Sequence, residues 1–240
     1  MGMKLEFDKS YWEENLKHPD WYIRLEEDLN EVFFPVVHDD AELKTYRHKV
    51  YVLMEEMLAK KRIPLGEDGP DLDKERKKTD TIVIHHSEEE ADLTAMRIST
   101  IGLIRLYAPK FLGHNDWGLD LRGKPVRSGH FYKDQQVFFG YHWCVYPNGK
   151  SEQWLDDSKI GLQSGVWEVN TRSVGIVLAG NYEHSTPPLV QIETVAEIIK
   201  NNYSSVDKAK IVGHREVREE RTCPGDKFLG GWKDVLVSLV

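Results

Sequence analysis

Residues 172–180 read RSVGIVLAG, and from Val174 to Gly180 no polar side chain interrupts the run. A strand with one wet face alternates polar and apolar residues; a run without alternation is that of a strand covered on both faces, as in sheets flanked by helices. Other segments fall into place around it. TIVIHH (81–86), VFFGYHWCVY (137–146) and KIVGH (210–214) read as further strands, and PNG at 147–149 as a turn leading into KSEQWL. Residues 92–112 read as a helix whose apolar face carries Leu93, Met96, Ile101, Ile104 and Tyr107, and 189–203 as another. Strands alternating with helices give the expected fold class: α/β, a mixed central β-sheet flanked by helices, preceded by an N-terminal helical extension.

That extension has a different texture. Residues 40–58 place Leu43, Tyr46, Val50, Leu53, Met54, Met57 and Leu58 mostly three or four apart, the spacing of an amphipathic helix, with Asp39 or Asp40 as N-cap. An earlier helix spans 9–33, with a break at His18-Pro19 and a stop at Pro35. Trp12, Trp21, Tyr22 and Leu25 predict a buried face rather than a loose arm. Residues 61–80, charged and holding Pro and Gly without periodicity, read as a connector. The expected division is therefore an extension over 1–60, a connector over 61–80 and a catalytic domain over 81–240.

Composition excludes some classes of function. A chain of 240 residues with formal net charge −8 lacks the basic face that a nucleic-acid binder needs. No apolar run approaches the roughly 20 residues of a membrane span. The start of the sequence has no signal-peptide core, so no export signal is expected in the chain as given. With two cysteines, Cys144 and Cys223, a disulfide framework is not expected; Cys144, mid-strand, reads as a small buried residue, and His142 beside Trp143 as a core position.

Chemistry enters at strand ends, where rigid backbone holds ligands at fixed separations. His85 closes one strand, His214 closes another, and Cys223 follows nine positions later in HREVREERTCPGDKF. Two imidazoles and a thiolate suit Zn2+ rather than Mg2+ or Ca2+, and three protein ligands leave a catalytic site its open position. Singly, each of the three is better explained as an unrelated surface or core residue. His86 reads as a neighbour that orients a ligand.

In order and spacing, DTIVIHHS, YHWCVYPNG, NTRSVGIVLAGNY, IVGHREV and TCPGDKF resemble the motifs of the zinc-dependent N-acetylmuramoyl-L-alanine amidases and peptidoglycan-recognition proteins. The resemblance covers roughly 80–235. It implies one zinc ion on His85, His214 and Cys223, and peptidoglycan or a muropeptide as substrate. One branch of the family carries a glutamate where this chain has Val177. The other uses a tyrosine at the start of the YH strand, here Tyr141, which the resemblance makes the group that guides the attacking water. Several members place a lysine two positions before the last ligand; Arg221 stands there, and Thr222 is a second candidate to steady the oxyanion. Gln163 replaces a common histidine and is expected near substrate; Asn170 and Ser173 match the family's N-x-x-S, which is expected to fix the loop entering the buried strand, with Asn170 also placed among the substrate-binding residues. The segment 113–136, with Trp117 and His130, interrupts the family pattern and is expected to wall a glycan groove. The implied activity is hydrolysis of the amide between N-acetylmuramic acid and L-alanine. The alternatives are a non-catalytic peptidoglycan-binding module, which the retained Cys223 disfavours, and a cytosolic amidase for recycled anhydromuropeptides, which the lack of a signal-peptide core and the interrupting segment favour and Val177 disfavours.

Overall fold

The computed structural model describes residues 6–35, 40–88, 93–113 and 118–240. Asp39 and Trp117 lie outside them. Among the described residues the strands, in chain order, are β1 (Thr81–His86), β2 (His130–Tyr132), β3 (Gln135–Val137), β4 (Trp143–Val145), β5 (Ser151–Gln153), β6 (Ser173–Leu178) and β7 (Ile211–Gly213). The chain divides into two compact units, one of residues 1–70 with 95–138, the other of residues 71–94 with 139–240.

The first unit is helical apart from the β2–β3 hairpin. Its long helix, Ala41–Ala59, starts where Asp40 accepts the Leu43 N–H at 2.8 Å. The expected first helix runs over Lys9–Leu16 and then breaks around Pro19, where the ring forbids continuation. Trp12, Trp21, Tyr22 and Leu25 are all fully buried. Trp12 donates to the Tyr46 hydroxyl at 3.0 Å and packs edge-on against Phe33. The expected 92–112 helix is present as Ala95–Gly102 and Ala108–Phe111, joined through one wider turn at Leu103–Tyr107. Pro109 has no N–H to give to the preceding turn, so the ladder loosens there.

The second unit holds a five-stranded mixed sheet in the order β5-β4-β6-β1-β7. β6 lies at its centre, parallel to β1 and β4, and β7 adds parallel to β1; β5 returns antiparallel through the PNG turn. All six residues of β6 are buried, as its unbroken apolar run requires. Alternation sends Ile82, Ile84, Val174, Ile176 and Leu178 to one face, where they pack with the helix Leu189–Asn202 and with Phe228, Trp232 and Leu236. Val83, His85, Gly175 and Val177 therefore face the other way.

One expected strand is shorter than its sequence. Residues 137–146 yield ladder pairing only at the end of β3 and in β4. The Phe138 N–H goes to the Ser99 hydroxyl at 3.0 Å rather than to a neighbouring strand. Sheet pairing resumes at His142, whose N–H reaches the Gly175 carbonyl at 2.9 Å. No helix among the described residues is long and apolar enough to cross a membrane.

Ile176 is fully buried at the centre of the sheet. Ile176→Ala is expected to cost about 2–5 kcal/mol, read as a lower urea midpoint at unchanged m-value.

Candidate metal centre

The pairing of β1 with β7 builds the site. Ile84 lies opposite Gly213, so the next residue of each strand, His85 and His214, emerges side by side. Their rings are 4.8 Å apart between centroids. After the short helix His214–Val217 the chain folds back, tied by Arg215 N–H to the Cys223 carbonyl at 2.8 Å and by the Arg215 guanidinium to the Gly225 carbonyl at 3.1 Å. That return brings the Cys223 sulfur to 3.7 Å from His85 Nδ1, with the His86 N–H at 3.4 Å. The three residues expected from the sequence thus meet: one ligand atom of each lies within 4.8 Å of the others.

The rings are held by their far nitrogens. His85 Nε2 contacts Gln163 Oε1 at 2.5 Å, and His214 Nε2 contacts the Ser164 carbonyl at 3.2 Å. Both partners are acceptors, so each Nε2 carries the hydrogen and each Nδ1 keeps its lone pair. Gln163 is fixed in turn by its own N–H to Ser173 at 2.8 Å. Its side chain crosses the sheet at Gly175, where a Cβ would stand 2.9 Å from Gln163 Cγ. A buried and a half-buried imidazole oriented from behind, with open nitrogens near a buried sulfur, are what a metal requires.

The distances fit as well. Tetrahedral zinc with ordinary Zn–N and Zn–S bonds sets nitrogen and sulfur about 3.6 Å apart, against the 3.7 Å found. Electrostatics favour the ligating forms of the imidazoles. Burial, then the charge of His214, holds the His85 pKa well below its usual value. Burial and the nearby Arg221 lower that of His214 to about 4. Burial pushes the Cys223 thiol far up, while the His86 N–H and then Arg221 pull it down; a divalent ion would supply the remaining drive to thiolate.

A second grouping, His86 with Glu88 and Glu183, also lies within ligand distance. It is not equivalent. His86 Nδ1 accepts the Tyr182 N–H at 2.8 Å, so Nε2 carries the hydrogen and faces the two carboxylates at 3.7 and 3.6 Å. No ring lone pair is left for a cation, and the group braces the backbone beside Cys223.

The remaining expected residues fall in different places. The Tyr141 ring lies 4.9 Å from that of His85 and is partly exposed. Val177 pairs with His85 and shares its face, so the position that carries a glutamate in one branch of the family presents only methyl groups here. Arg221 acts on both His214 and Cys223 through its charge. Thr222 gives its hydroxyl hydrogen to Glu183 at 3.1 Å. Asn170 is buried and its oxygen accepts from the Ser164 N–H and hydroxyl at 2.9 and 2.7 Å. Gln163 is buried against His85 rather than turned to solvent. His130 lies buried on β2 in the other unit. Sequence reasoning missed what Gln163 and Ser164 do for the two rings; the clue was a side chain with both donor and acceptor standing in for an expected histidine.

The profile of the N-acetylmuramoyl-L-alanine amidase family matches residues 75–226. The chain belongs to this family. Solved structures similar to this amidase-family chain include the N-acetylmuramoyl-L-alanine amidase LysC of Clostridium intestinale, at 17% identity over 74% of this chain and 94% of that one, with a TM-score of 0.49. The Ph2119 endolysin of a Thermus scotoductus bacteriophage shares 20% identity over 68% and 85%, TM-score 0.42. Drosophila peptidoglycan recognition protein SD shares 18% over 68% and 83%, TM-score 0.42. No curated protein sequence matches the chain significantly.

Two outcomes follow for this family member. Gln163→Leu leaves His85 Nε2–H without an acceptor and is expected to weaken zinc binding about 10–100-fold, measured by chelator competition. In metal-free protein, His214 titrates near 4 when folded against 6.5 when unfolded. The unfolded chain takes up its proton first, so this contribution is complete above pH 6.5 and is lost as pH falls toward 4. Its size is on the order of 3 kcal/mol, read from urea midpoints across that range; His214→Gln removes this part of the slope and leaves the part from His85, whose pKa is lowered too.

Proposed function

We propose that the protein is a zinc-dependent N-acetylmuramoyl-L-alanine amidase that hydrolyses the amide between the lactyl group of N-acetylmuramic acid and the L-alanine of the stem peptide. The observation that carries this reading is the paired anchoring of His85 and His214 through Nε2, which leaves two Nδ1 lone pairs and the Cys223 sulfur as a three-ligand set. His85, His214 and Cys223 would hold a zinc ion, which when bound would supply Lewis acidity for the amide carbonyl and a water acidified to a pKa of about 7.

The chain's own groups do the rest. Tyr141, beside His85, orients the attacking water through its phenol. Val177 offers no proton acceptor on that flank, so this task falls to the phenol. Arg221 keeps a permanent positive charge next to two of the ligands and directs N–H groups at the carbonyl oxygen as it gains charge. With the Thr222 hydroxyl hydrogen committed to Glu183, Thr222 steadies the loop and Arg221 carries the oxyanion role. Gln163 and Asn170 serve from behind, through the ligands and their loop.

A digest of intact sacculi beside soluble anhydromuropeptides, read by mass spectrometry, tests the reading. Release of stem peptides from the sacculi supports it. Product from the soluble substrate alone points to a recycling amidase, and no product from either points to a binding module. Cys223→Ser is expected to lose both zinc and turnover. Tyr141→Phe is expected to lower turnover about 100-fold or more with zinc content unchanged.

A further inference from the structure

Residues 61–80 read in the sequence as a plain connector, yet their last third is stitched along the loop 157–173. Asp73 accepts the Ile160 N–H at 2.8 Å and pairs with Lys159 at 3.1 Å. Glu75 takes the Trp167 indole N–H at 2.9 Å, and Lys77 gives its backbone N–H to the Thr171 carbonyl at 2.8 Å. At the centre stands Arg76. Its Nε donates to the Asp157 carbonyl at 2.7 Å, its Nη2 to the Thr79 hydroxyl at 3.0 Å, and its Nη1 to the carbonyls of Asn170, Thr171 and Ser173 at 3.3, 3.3 and 2.8 Å. None of these five acceptors is a carboxylate. Placing a partly buried cation among carbonyl oxygens is costly for ion pairing alone, so the arrangement calls for a geometric reason.

The reason lies one bond further on. Asn170, held by Arg76 at its carbonyl, uses its side-chain oxygen to fix Ser164, whose carbonyl takes His214 Nε2–H. Ser173, held the same way, uses its hydroxyl to receive the Gln163 N–H, and Gln163 takes His85 Nε2–H. One guanidinium thus stands at the root of two hydrogen-bonded branches, each ending on a different ligand imidazole. We propose that Arg76 is a positioning residue for the metal centre, setting the orientation and tautomer of both His85 and His214 through Asn170–Ser164 and Ser173–Gln163. This inference rests on the proposed ligand set. A planar fork with five N–H groups can reach the carbonyls of Asp157, Asn170 and Ser173 together; a lysine ammonium, a single point with three donors, cannot.

The test uses Arg76→Lys, which keeps charge and stem, and Ser173→Ala, which cuts only the branch to His85. The metal-free proteins are compared at pH 8 by nitrogen-15 NMR of the imidazoles, and zinc affinity by chelator competition. In the wild type both rings are expected as single Nε2–H tautomers. In Arg76→Lys both become tautomer mixtures and zinc binds roughly tenfold more weakly; in Ser173→Ala only His85 changes. A folded Arg76→Lys protein with both tautomers and zinc affinity unchanged overturns the proposal. Should that variant not fold, Ser173→Ala decides: a change at His85 alone supports it, and a change at both rings or neither sinks it. If the wild type binds no zinc, the proposed activity falls while the tautomer readout still judges the inference.

Discussion

Everything at this centre depends on the parallel register between the strands ending in His85 and Gly213. Parallel strands point the same way, so their last residues leave the sheet together on one edge; antiparallel pairing would have sent the two imidazoles to opposite ends. Because β6 lies on the other side of β1, the same edge also receives Val177 and the loop that follows the strand. The covered, unalternating run at 173–178 anchors this edge, since sliding by one residue would turn His85 into the packed core.

Strand ends alone do not specify a ligand. An imidazole free to rotate presents either nitrogen, and only one of them lies near the Cys223 sulfur. Selection comes from acceptors behind the rings, a side-chain amide for one and a main-chain carbonyl for the other. The same economy accounts for the neighbouring His86. Its bond from Tyr182 assigns the hydrogen to the opposite nitrogen, and three residues at ligand distance then form a brace rather than a second cation site. Spacing of donors does not separate the two triads. Their hydrogen-bond acceptors do.

The sheet and the meeting of His85, His214 and Cys223 were legible in the sequence, because both rest on local signals: an apolar run, histidines closing strands, a cysteine in a short return loop. Tyr141 beside His85 and the apolar Val177 on the same face were legible for the same reason. Strand 137–146 was overread, since a donor to a side chain at Phe138 has no pattern in the chain. The N-x-x-S pattern pointed to Asn170 as a residue that fixes its loop, and its bonds to Ser164 are of that kind; Gln163 read as a substrate contact, and nothing in one dimension tells a side chain that meets a ligand from one turned inward to hold another residue. Arg76 was hidden more thoroughly. Four of its five partners are main-chain carbonyl oxygens, which every residue owns, so no spacing of charges could have announced them.

Burial of the Cys223 sulfur has an effect that outlasts any one catalytic cycle. A thiol closed off from solvent and held in its protonated form is a poor target for peroxide and alkylating agents, which attack exposed thiolates. In metal-free protein the sulfur is therefore sheltered rather than primed for oxidation, so a protein that had given up an ion from this set would keep its capacity to be reloaded.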